Sequence, residues 1–267
     1  MTTAIAPATT VGAVHLTVAD LARSLAYYRE SIGLVLLDEA GGEASLGAGG
    51  RELLHLTEES GARPADGYTG LFHFALLVPE RADLAAWLQH AIADRVQLTG
   101  ASDHFVSEAL YLRDPDHHGI EIYADRPRKL WEGQANRIGT WPLDIDDLLG
   151  TASQPAGALP AGTRMGHVHL RVADVDESIR FYRDALGFDL IAQLGDQAAF
   201  LSAGGYHHHV GANTWESRGA PPPPDGTARL QHFTIVVPGE DERARVLERV
   251  GGELRDPSGN AFELALA

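Results

Sequence analysis

Three side chains in the second half of the sequence are of the types that bind a divalent metal ion: His167, His232 and Glu263. Two neutral imidazoles and one carboxylate form a ligand set for iron(II) or a related ion and leave coordination positions open. Because one carboxylate offsets only part of the charge of a dication, the bound ion stays electrophilic. We therefore predict a metal centre that holds a bidentate substrate and another small molecule.

Three consecutive histidines, His207, His208 and His209, lie in a segment that reads as a strand, YHHHVGAN. Alternate side chains of a strand point to opposite faces, so His207 and His209 share one face and His208 occupies the other. A histidine beside a metal centre suits general acid–base catalysis when its pKa lies near neutrality. We predict His209 in this role and His207 as the second choice. The alternative is a polar patch without a proton role.

The elements that carry these residues come from an internal repeat. Residues 166–188 and 12–34 share 11 of 23 residues, and each stretch reads as a short strand followed by an amphipathic helix. In the later copy, His167, His169 and Arg171 share one face of the strand, and Asp174 is placed to cap the helix. The unit is therefore a strand whose polar side is available for chemistry and whose apolar side packs on a helix.

Two further pairs of similar segments extend the repeat over the rest of the chain. LFHFALLVP is repeated as LQHFTIVVP, with His73 in the place of His232, and DPDHHGIEIYA is repeated as DPSGNAFELAL, with Glu121 in the place of Glu263. We predict an α+β fold of four βαβββ modules that pair into two cup-shaped half-barrel domains. We expect the third and fourth modules to form one cup. The fourth module is shorter than the others, so we expect it to lack a strand.

The first half has an incomplete version of the same site. Its three corresponding residues are Ala13, His73 and Glu121, so one ligand is missing. We expect His73 and Glu121 to be a remnant, for which His15 could serve as a weak third ligand. His15 and His169 occur in both copies, and we expect them to support the structure or the ligands. The sequence therefore predicts a metal ion in the second half of the chain.

The composition sets the outer limits of the prediction. The chain has 267 residues, of which 37 are acidic and 21 are basic, and the net charge of −16 argues against nucleic acid or an anionic membrane as a partner. Because no stretch reads as a signal peptide or a membrane span, we predict a cytoplasmic protein. We divide the chain into a disordered start (1–10), an N-terminal domain without a complete metal site (11–125), a linker (126–162) and a C-terminal domain with the metal site (163–267).

These features resemble a known family. The modules, the linker WPLDIDDLL and the stretch YHHHVGANTW are similar to the type I extradiol ring-cleavage dioxygenases of the vicinal-oxygen-chelate superfamily, which also includes glyoxalase I and the bleomycin-resistance proteins. The closest likeness is to bacterial two-domain catechol 2,3-dioxygenases, and it extends from Val11 to Leu266. The resemblance implies an enzyme that cuts the ring of a catechol-type substrate with O2 at iron(II), with Mn²⁺ as a second candidate metal. It also implies that His209 moves protons near the metal.

One departure from the family and two other functions stay open. Many relatives carry a tyrosine before the Asp-Pro turn that contacts the substrate, whereas here Leu254 stands where Tyr111 stands in the first half. A glyoxalase-like isomerase or lyase would use zinc or nickel and normally needs a fourth protein ligand. A metal-free protein that binds small molecules such as drugs is the alternative that is not an enzyme. A second copy of the chain is a further candidate partner.

Overall fold

A computed structural model describes residues 4–152 and 154–267. The elements of the first half, in chain order, are β1 (Thr10–Val18), α1 (Leu21–Tyr27), β2 (Val35–Ala40), β3 (Glu43–Ala48), β4 (Arg51–Glu58), β5 (Arg63–Pro64), β6 (Gly70–Leu77), α2 (Arg81–Ala93), β7 (Gly100–Asp103), β8 (Ser107–Arg113) and β9 (Gly119–Asp125). Strand, helix and three strands therefore occur twice, as the repeat predicts.

The connection between the halves contains two short 3-10 helices and α3 (Ile145–Leu149). The elements of the second half are β10 (Arg164–Arg171), α4 (Val175–Ile179), β11 (Asp189–Leu194), β12 (Ala198–Ser202), β13 (Val210–Asn213), β14 (Thr227–Ala228), β15 (Leu230–Val237), α5 (Glu240–Val250) and β16 (Phe262–Leu266). In the described part of the fourth module, strands precede and follow α5 but two strands of the full pattern are absent, one more than we expected.

The strands form two large curled sheets, and each sheet takes strands from both halves of the chain. The six-stranded sheet has the order β16-β15-β1-β4-β3-β2, and the eight-stranded sheet has the order β11-β12-β13-β10-β6-β9-β8-β7. The α+β half-barrel fold built of repeated modules is confirmed. The predicted pairing is wrong, because the first module shares a sheet with the fourth, and the second with the third.

The central contacts of the sheets explain this correction. In the eight-stranded sheet β10 runs antiparallel to β6, with His169 opposite His73. In the six-stranded sheet β1 runs antiparallel to β15, with His15 opposite His232. All four first strands have the same alternating pattern, so the pattern does not select a partner. The boundaries that we drew at 126–162 follow the sequence repeat and stay a prediction, but strand pairing crosses them.

The helices close the apolar faces of the sheets by the same means in both copies. Asp174 caps α4 as predicted, and Asp20 caps α1 in the same way; each accepts a hydrogen bond from the backbone N–H three residues further along the chain. Both helices continue into a π-helical turn, Tyr28–Ile32 and Arg180–Ala185. The expected apolar stripe of the later copy is buried, and its members are Val175, Ile179, Tyr182 and Leu186. The strand–helix unit is therefore confirmed.

Two buried tyrosines link modules that lie in different sheets. The Tyr28 hydroxyl donates to Asp114 over 2.8 Å, and the Tyr182 hydroxyl donates to Asp256 over 3.2 Å. Each aspartate begins an Asp-Pro turn and also accepts from backbone N–H groups of that turn, and Asp256 accepts from the side-chain amide of Asn260 as well. These bonds hold the turn that precedes the last strand of the module, and in the second module that strand is β9.

The start of the described chain is packed against the rest of the protein. The Ile5 side chain is buried, and its backbone N–H donates to Gly187 over 2.9 Å. The backbone N–H of Ala6 donates to Glu242 over 2.9 Å. The prediction of a disordered start is therefore corrected for residues 4–10, and residues 1–3 lie outside the described residues. Within the described residues, no helix is long and apolar enough to cross a bilayer.

Gly166 provides a test of the packing between β10 and β9. A Cβ atom at this position would overlap the hydroxyl of the buried Tyr123. We expect Gly166→Ala to lower the free energy of unfolding by about 1–3 kcal/mol, because overpacking forces neighbouring groups to shift. Gly239→Ala is the matched control, since Gly239 has an extended backbone (φ 178°) and a Cβ there would meet nothing within 4 Å. Chemical denaturation measures both variants, and equal midpoints would contradict the packing argument.

Candidate metal centre and cavity

Three donor atoms from adjacent strands of the eight-stranded sheet converge on one point. Glu121 Oε2 lies 3.0 Å from His73 Nε2 and 3.3 Å from His167 Nε2, and the two imidazole nitrogens lie 3.4 Å apart. His73 is on β6, Glu121 on β9 and His167 on β10, and β6 lies between the other two strands. The strand register places Ala75 opposite both His167 and Glu121. Strand alternation therefore brings the three side chains to the same face of the sheet.

The charge state of the cluster suits a cation. All three side chains are buried. Burial lowers the pKa of His167 to about 4, so this imidazole is neutral at neutral pH. Burial alone would raise the pKa of Glu121, but the charge that His167 carries in its protonated form and the hydrogen bonds from His167 and His73 outweigh it and hold the pKa of this carboxyl well below its usual range. The cluster therefore contains an ionised carboxylate in a site that water scarcely reaches.

The spacing of the donors also suits a metal ion. Ligand atoms about 2.0–2.2 Å from a metal and roughly at right angles to one another are separated by about 3 Å. The three observed separations lie close to this value. Two histidines and one carboxylate on one side of an ion leave the remaining coordination positions open to exogenous ligands. Of the described residues, these three make the one group of histidine or acidic side chains whose donor atoms could hold a metal ion together.

The structure does not bring together the trio that we predicted from the sequence. His167 belongs to the cluster, but His232 and Glu263 lie on β15 and β16 of the six-stranded sheet. There His232 Nε2 is 3.6 Å from Glu263 Oε2, and the His232 ring stacks on His15 with 3.9 Å between ring centroids. The physical reason is the strand pairing, because β10 lies beside β6 rather than beside β15. The pair that we took for a remnant, His73 and Glu121, completes the cluster with His167.

A cavity of about 420 Å³ lies beside the three donors. His73, Glu121 and His167 form part of its wall, and the apolar part includes Phe72, Leu112, Ile120, Ile138, Leu194, Phe200 and Trp215. Leu194 and Trp215 are about half exposed and so lie at the opening of the cavity. A few polar groups in a mostly apolar cavity are typical of a small-molecule site. Its size and lining suit a small aromatic ligand.

Tyr111 and His104 form a hydrogen-bonded pair in the cavity wall. His104 Nδ1 lies 2.5 Å from the carbonyl oxygen of Gly139, which can only accept, so Nδ1 carries the proton. Nε2 of a neutral His104 then accepts from the Tyr111 hydroxyl over 2.6 Å. Burial and the nearby Glu121 raise the pKa of Tyr111 well above its usual range, so it stays protonated. In the fourth module Leu254 stands where a tyrosine was expected, but Tyr111 on β8 of the second module lines the cavity.

Of the three consecutive histidines, His208 lies in the cavity wall and the other two do not. The His208 ring packs on His167 with 4.0 Å between centroids. His207 is fully buried, with Nε2 2.9 Å from Asp125 Oδ1, and His209 Nδ1 accepts from the backbone N–H of Ala203 over 3.1 Å. Residues 206–209 precede β13 rather than continue it, and the side chains of His207 and His208 contact each other, so the predicted strand alternation is wrong here. The placement of His209 and His207 at the site is therefore corrected to His208.

His169 occupies the remaining part of the histidine-rich wall. Its ring lies 5.0 Å from that of His73 and 5.5 Å from that of Trp215, measured between centroids. Gly211 lies directly beneath it, and a Cβ there would come within 2.8 Å of the ring. Burial lowers the pKa of His169 well below its usual range, so the ring is uncharged. It therefore lines the cavity without adding charge to the cluster.

Comparison with known proteins connects this site to a family. The model of the Glyoxalase/Bleomycin resistance protein/Dioxygenase superfamily matches residues 10–122 and 164–253, more than half of the chain. A protein named catechol-2,3-dioxygenase, from Bacillus subtilis (strain 168), is 43% identical over 258 residues, which cover 93% of this chain and 90% of that protein.

Solved structures share the fold at much lower sequence identity. A dioxygenase-like protein from Bacillus subtilis subsp. subtilis str. 168 has a TM-score of 0.64 and 17% identity, over 96% of this chain and 85% of that one. Glyoxalase I from Zea mays has a TM-score of 0.57 and 18% identity, over 97% of this chain and 92% of that one. These two likenesses concern the fold alone, whereas the match at 43% identity, together with the family model, shows the family.

Proposed function

Because the chain belongs to the Glyoxalase/Bleomycin resistance protein/Dioxygenase superfamily, we propose that it is an extradiol dioxygenase, which cleaves the ring of a catechol-type substrate with O2 at an iron(II) centre. The relative at 43% identity bears the name of that activity, and it is matched over nearly its whole length. The observation that carries the proposal is the convergence of His73, Glu121 and His167 beside the cavity.

In this proposal the three converging residues are the metal ligands. His73 and His167 offer neutral nitrogen donors and Glu121 offers the one carboxylate, a donor set that suits iron(II) in oxygen chemistry. Bound there, iron(II) would supply the redox link between a catechol held through both of its oxygens and O2. The single carboxylate supports this use, because it leaves positive charge on the ion for a substrate with ionised oxygens.

The other residues of the wall bind, orient and exchange protons with the substrate. Apolar side chains such as Phe72, Phe200 and Trp215 would enclose the ring and exclude water, which strengthens polar interactions inside the cavity. The Tyr111 hydroxyl, which gives its own proton to His104, would accept a hydrogen bond from a hydroxyl of the substrate. His208 lines the cavity, and burial lowers its pKa well below its usual range, so the ring is neutral and offers a lone pair to a substrate hydroxyl. His208 thus takes the proton-transfer role that the resemblance assigned to His209.

The donor count favours this function over a glyoxalase-like reaction. The sequence-based alternative needs a fourth protein ligand, and the cluster in the described part of the chain contains three donors. A drug-binding protein without a metal would not need an ionised carboxylate buried between two histidines, since a buried charge without a partner is costly. His208 and Tyr111 line the same cavity as the three donors.

Metal binding distinguishes the ligands proposed here from the trio read off the sequence. His73→Ala and His232→Ala are matched variants, because both histidines lie on equivalent first strands, β6 and β15. We expect His73→Ala to lose its iron, since two donors hold a cation far more weakly than three, and His232→Ala to retain it. Iron is measured after anaerobic reconstitution and desalting, and Glu121→Gln and Glu263→Gln repeat the comparison. Loss of iron in the His232 and Glu263 variants would instead support the sequence-based trio.

The activity itself has a direct assay. Iron(II)-loaded protein is mixed with catechol without oxygen, and air is then admitted. We expect O2 uptake together with a yellow product of the 2-hydroxymuconate semialdehyde type, because cleavage beside the diol yields a conjugated aldehyde. Protein loaded with zinc is the control and should stay colourless. Activity that appears with zinc or nickel on a glyoxalase substrate, and no oxygen uptake with iron, would refute the dioxygenase assignment.

A second pair of variants tests the role of His208. Asn in place of a histidine keeps an amide oxygen or NH2 group near the position of Nδ1, so it can accept or donate there, but it has no group at the position of Nε2. His209→Asn can therefore still accept from Ala203, whereas His208→Asn loses the nitrogen available to the cavity. We expect His208→Asn to lower kcat by about 10²–10⁴-fold with iron content unchanged, the usual contribution of a general acid–base group. Steady-state kinetics measures both variants, and a larger loss in His209→Asn would rule out the assignment to His208.

A further inference from the structure

A chain of hydrogen bonds leads from the cavity to Asp125 through two adjacent histidines. His208 Nδ1 lies 2.8 Å from His207 Nδ1, and His207 Nε2 lies 2.9 Å from Asp125 Oδ1. His207 is completely buried and His208 is 6% exposed, whereas the Asp125 side chain is 23% exposed. These three residues take no part in holding the metal ion in the proposed function.

The direction of each bond follows from the group at the end of the chain. An ionised carboxylate only accepts, so His207 Nε2 carries a proton and donates it to Asp125. A neutral His207 then has its lone pair on Nδ1, so His208 must carry its proton on Nδ1 and donate to His207. The lone pair of His208 is thereby left on Nε2. None of the hydrogen bonds found among the described residues involves this nitrogen, and it is not sealed from the cavity.

We infer that Asp125 and His207 are positioning residues, which fix the proton of His208 on Nδ1 and so leave Nε2 of His208 as a hydrogen-bond acceptor for a molecule in the cavity. This inference rests on the proposed function for its effect on turnover. The arrangement of the protons themselves does not depend on that function.

The buried surroundings of His207 favour one tautomer over the other. The His207 ring lies between aromatic side chains, 3.9 Å from Tyr206 and 5.7 Å from Trp131 between centroids. In such a site a wrong tautomer would place two N–H groups or two lone pairs against each other and leave buried polar groups unpaired, which is costly. Asp125 is held in place, because it also accepts from the Tyr206 hydroxyl over 3.2 Å.

One strand links this device to the candidate metal centre. Glu121, Tyr123 and Asp125 are every second residue of β9 and so share one face of the strand. Glu121 belongs to the donor cluster, the Tyr123 hydroxyl lies 2.8 Å from that of Tyr206, and Asp125 pairs with His207. The same strand therefore sets the position of a metal donor and of the carboxylate that orients His208.

The first test reads the protons directly. Nitrogen-15 NMR of the histidine rings distinguishes Nδ1–H from Nε2–H, and zinc-loaded protein is used because zinc is diamagnetic. The His208→Asn variant assigns the signals of His208. We expect His208 to be the Nδ1–H tautomer in the wild-type protein, and Asp125→Ala to populate the Nε2–H form. A wild-type His208 with its proton on Nε2 would overturn the inference, whatever the protein catalyses.

The second test measures turnover in variants of Asp125 and of the residues that donate hydrogen bonds to it. We expect Asp125→Ala to lower kcat by about 10–100-fold, as loss of an orienting partner usually does, while KM changes less than twofold because Asp125 does not contact the cavity. Asp125→Glu should restore much of kcat, since it returns a carboxylate. Tyr206→Phe is the control, because it removes another bond to Asp125 and leaves His207 paired. A wild-type kcat in Asp125→Ala, or an equal loss in Tyr206→Phe, would contradict the positioning role even if the dioxygenase activity is confirmed.

Discussion

The antiparallel contact between β6 and β10 is the constraint on which the site depends. It joins the second module to the third, although they belong to different halves of the repeat, and it sets His169 opposite His73. With β9 on the other side of β6, the contact brings His167, His73 and Glu121 to one face. A shift of this register by one residue would turn His167 towards the opposite face and remove a donor. The metal chemistry proposed here therefore rests on how two halves of the chain associate.

The six-stranded sheet shows what the same scaffold does without the third donor. Ala13 stands where His167 stands in the other copy, and His55 stands where Gly211 does, opposite the shared histidine of the first strand. His15 is stacked between His55 and His232, with centroid separations of 4.8 and 3.9 Å. Burial, and then the charges of the two neighbours, lower the pKa of His15 to about 4, so the stack contains a neutral ring at neutral pH. The half-barrel thus tolerates either a donor cluster or a packed stack on the same face.

Around the cluster, the direction of the hydrogen bonds is set by groups that can only accept, a carbonyl and a carboxylate. The carbonyl of Gly139 fixes the proton of His104 and thereby the donor direction of Tyr111. The carboxylate of Asp125 does the same for His207 and, through it, for His208. Both chains end at side chains in the cavity wall. Because the surroundings are buried, an incorrect proton position would leave unpaired polar atoms, and a single arrangement is strongly favoured.

The local units and the family could be predicted from the sequence, because strand alternation, helix caps such as Asp174 and the echoed motifs depend on residues close together in the chain. The residue types of the site were also predictable: two histidines and a glutamate, one of them His167. Which copies supply the other donors was decided by tertiary structure, since four first strands with the same pattern give no local preference for a partner. Tertiary structure also decided which histidine of the triplet lines the cavity, His208 rather than His209. Strand alternation does not apply to these residues, because they precede β13, and only the packing of the folded chain determines which ring meets the cavity.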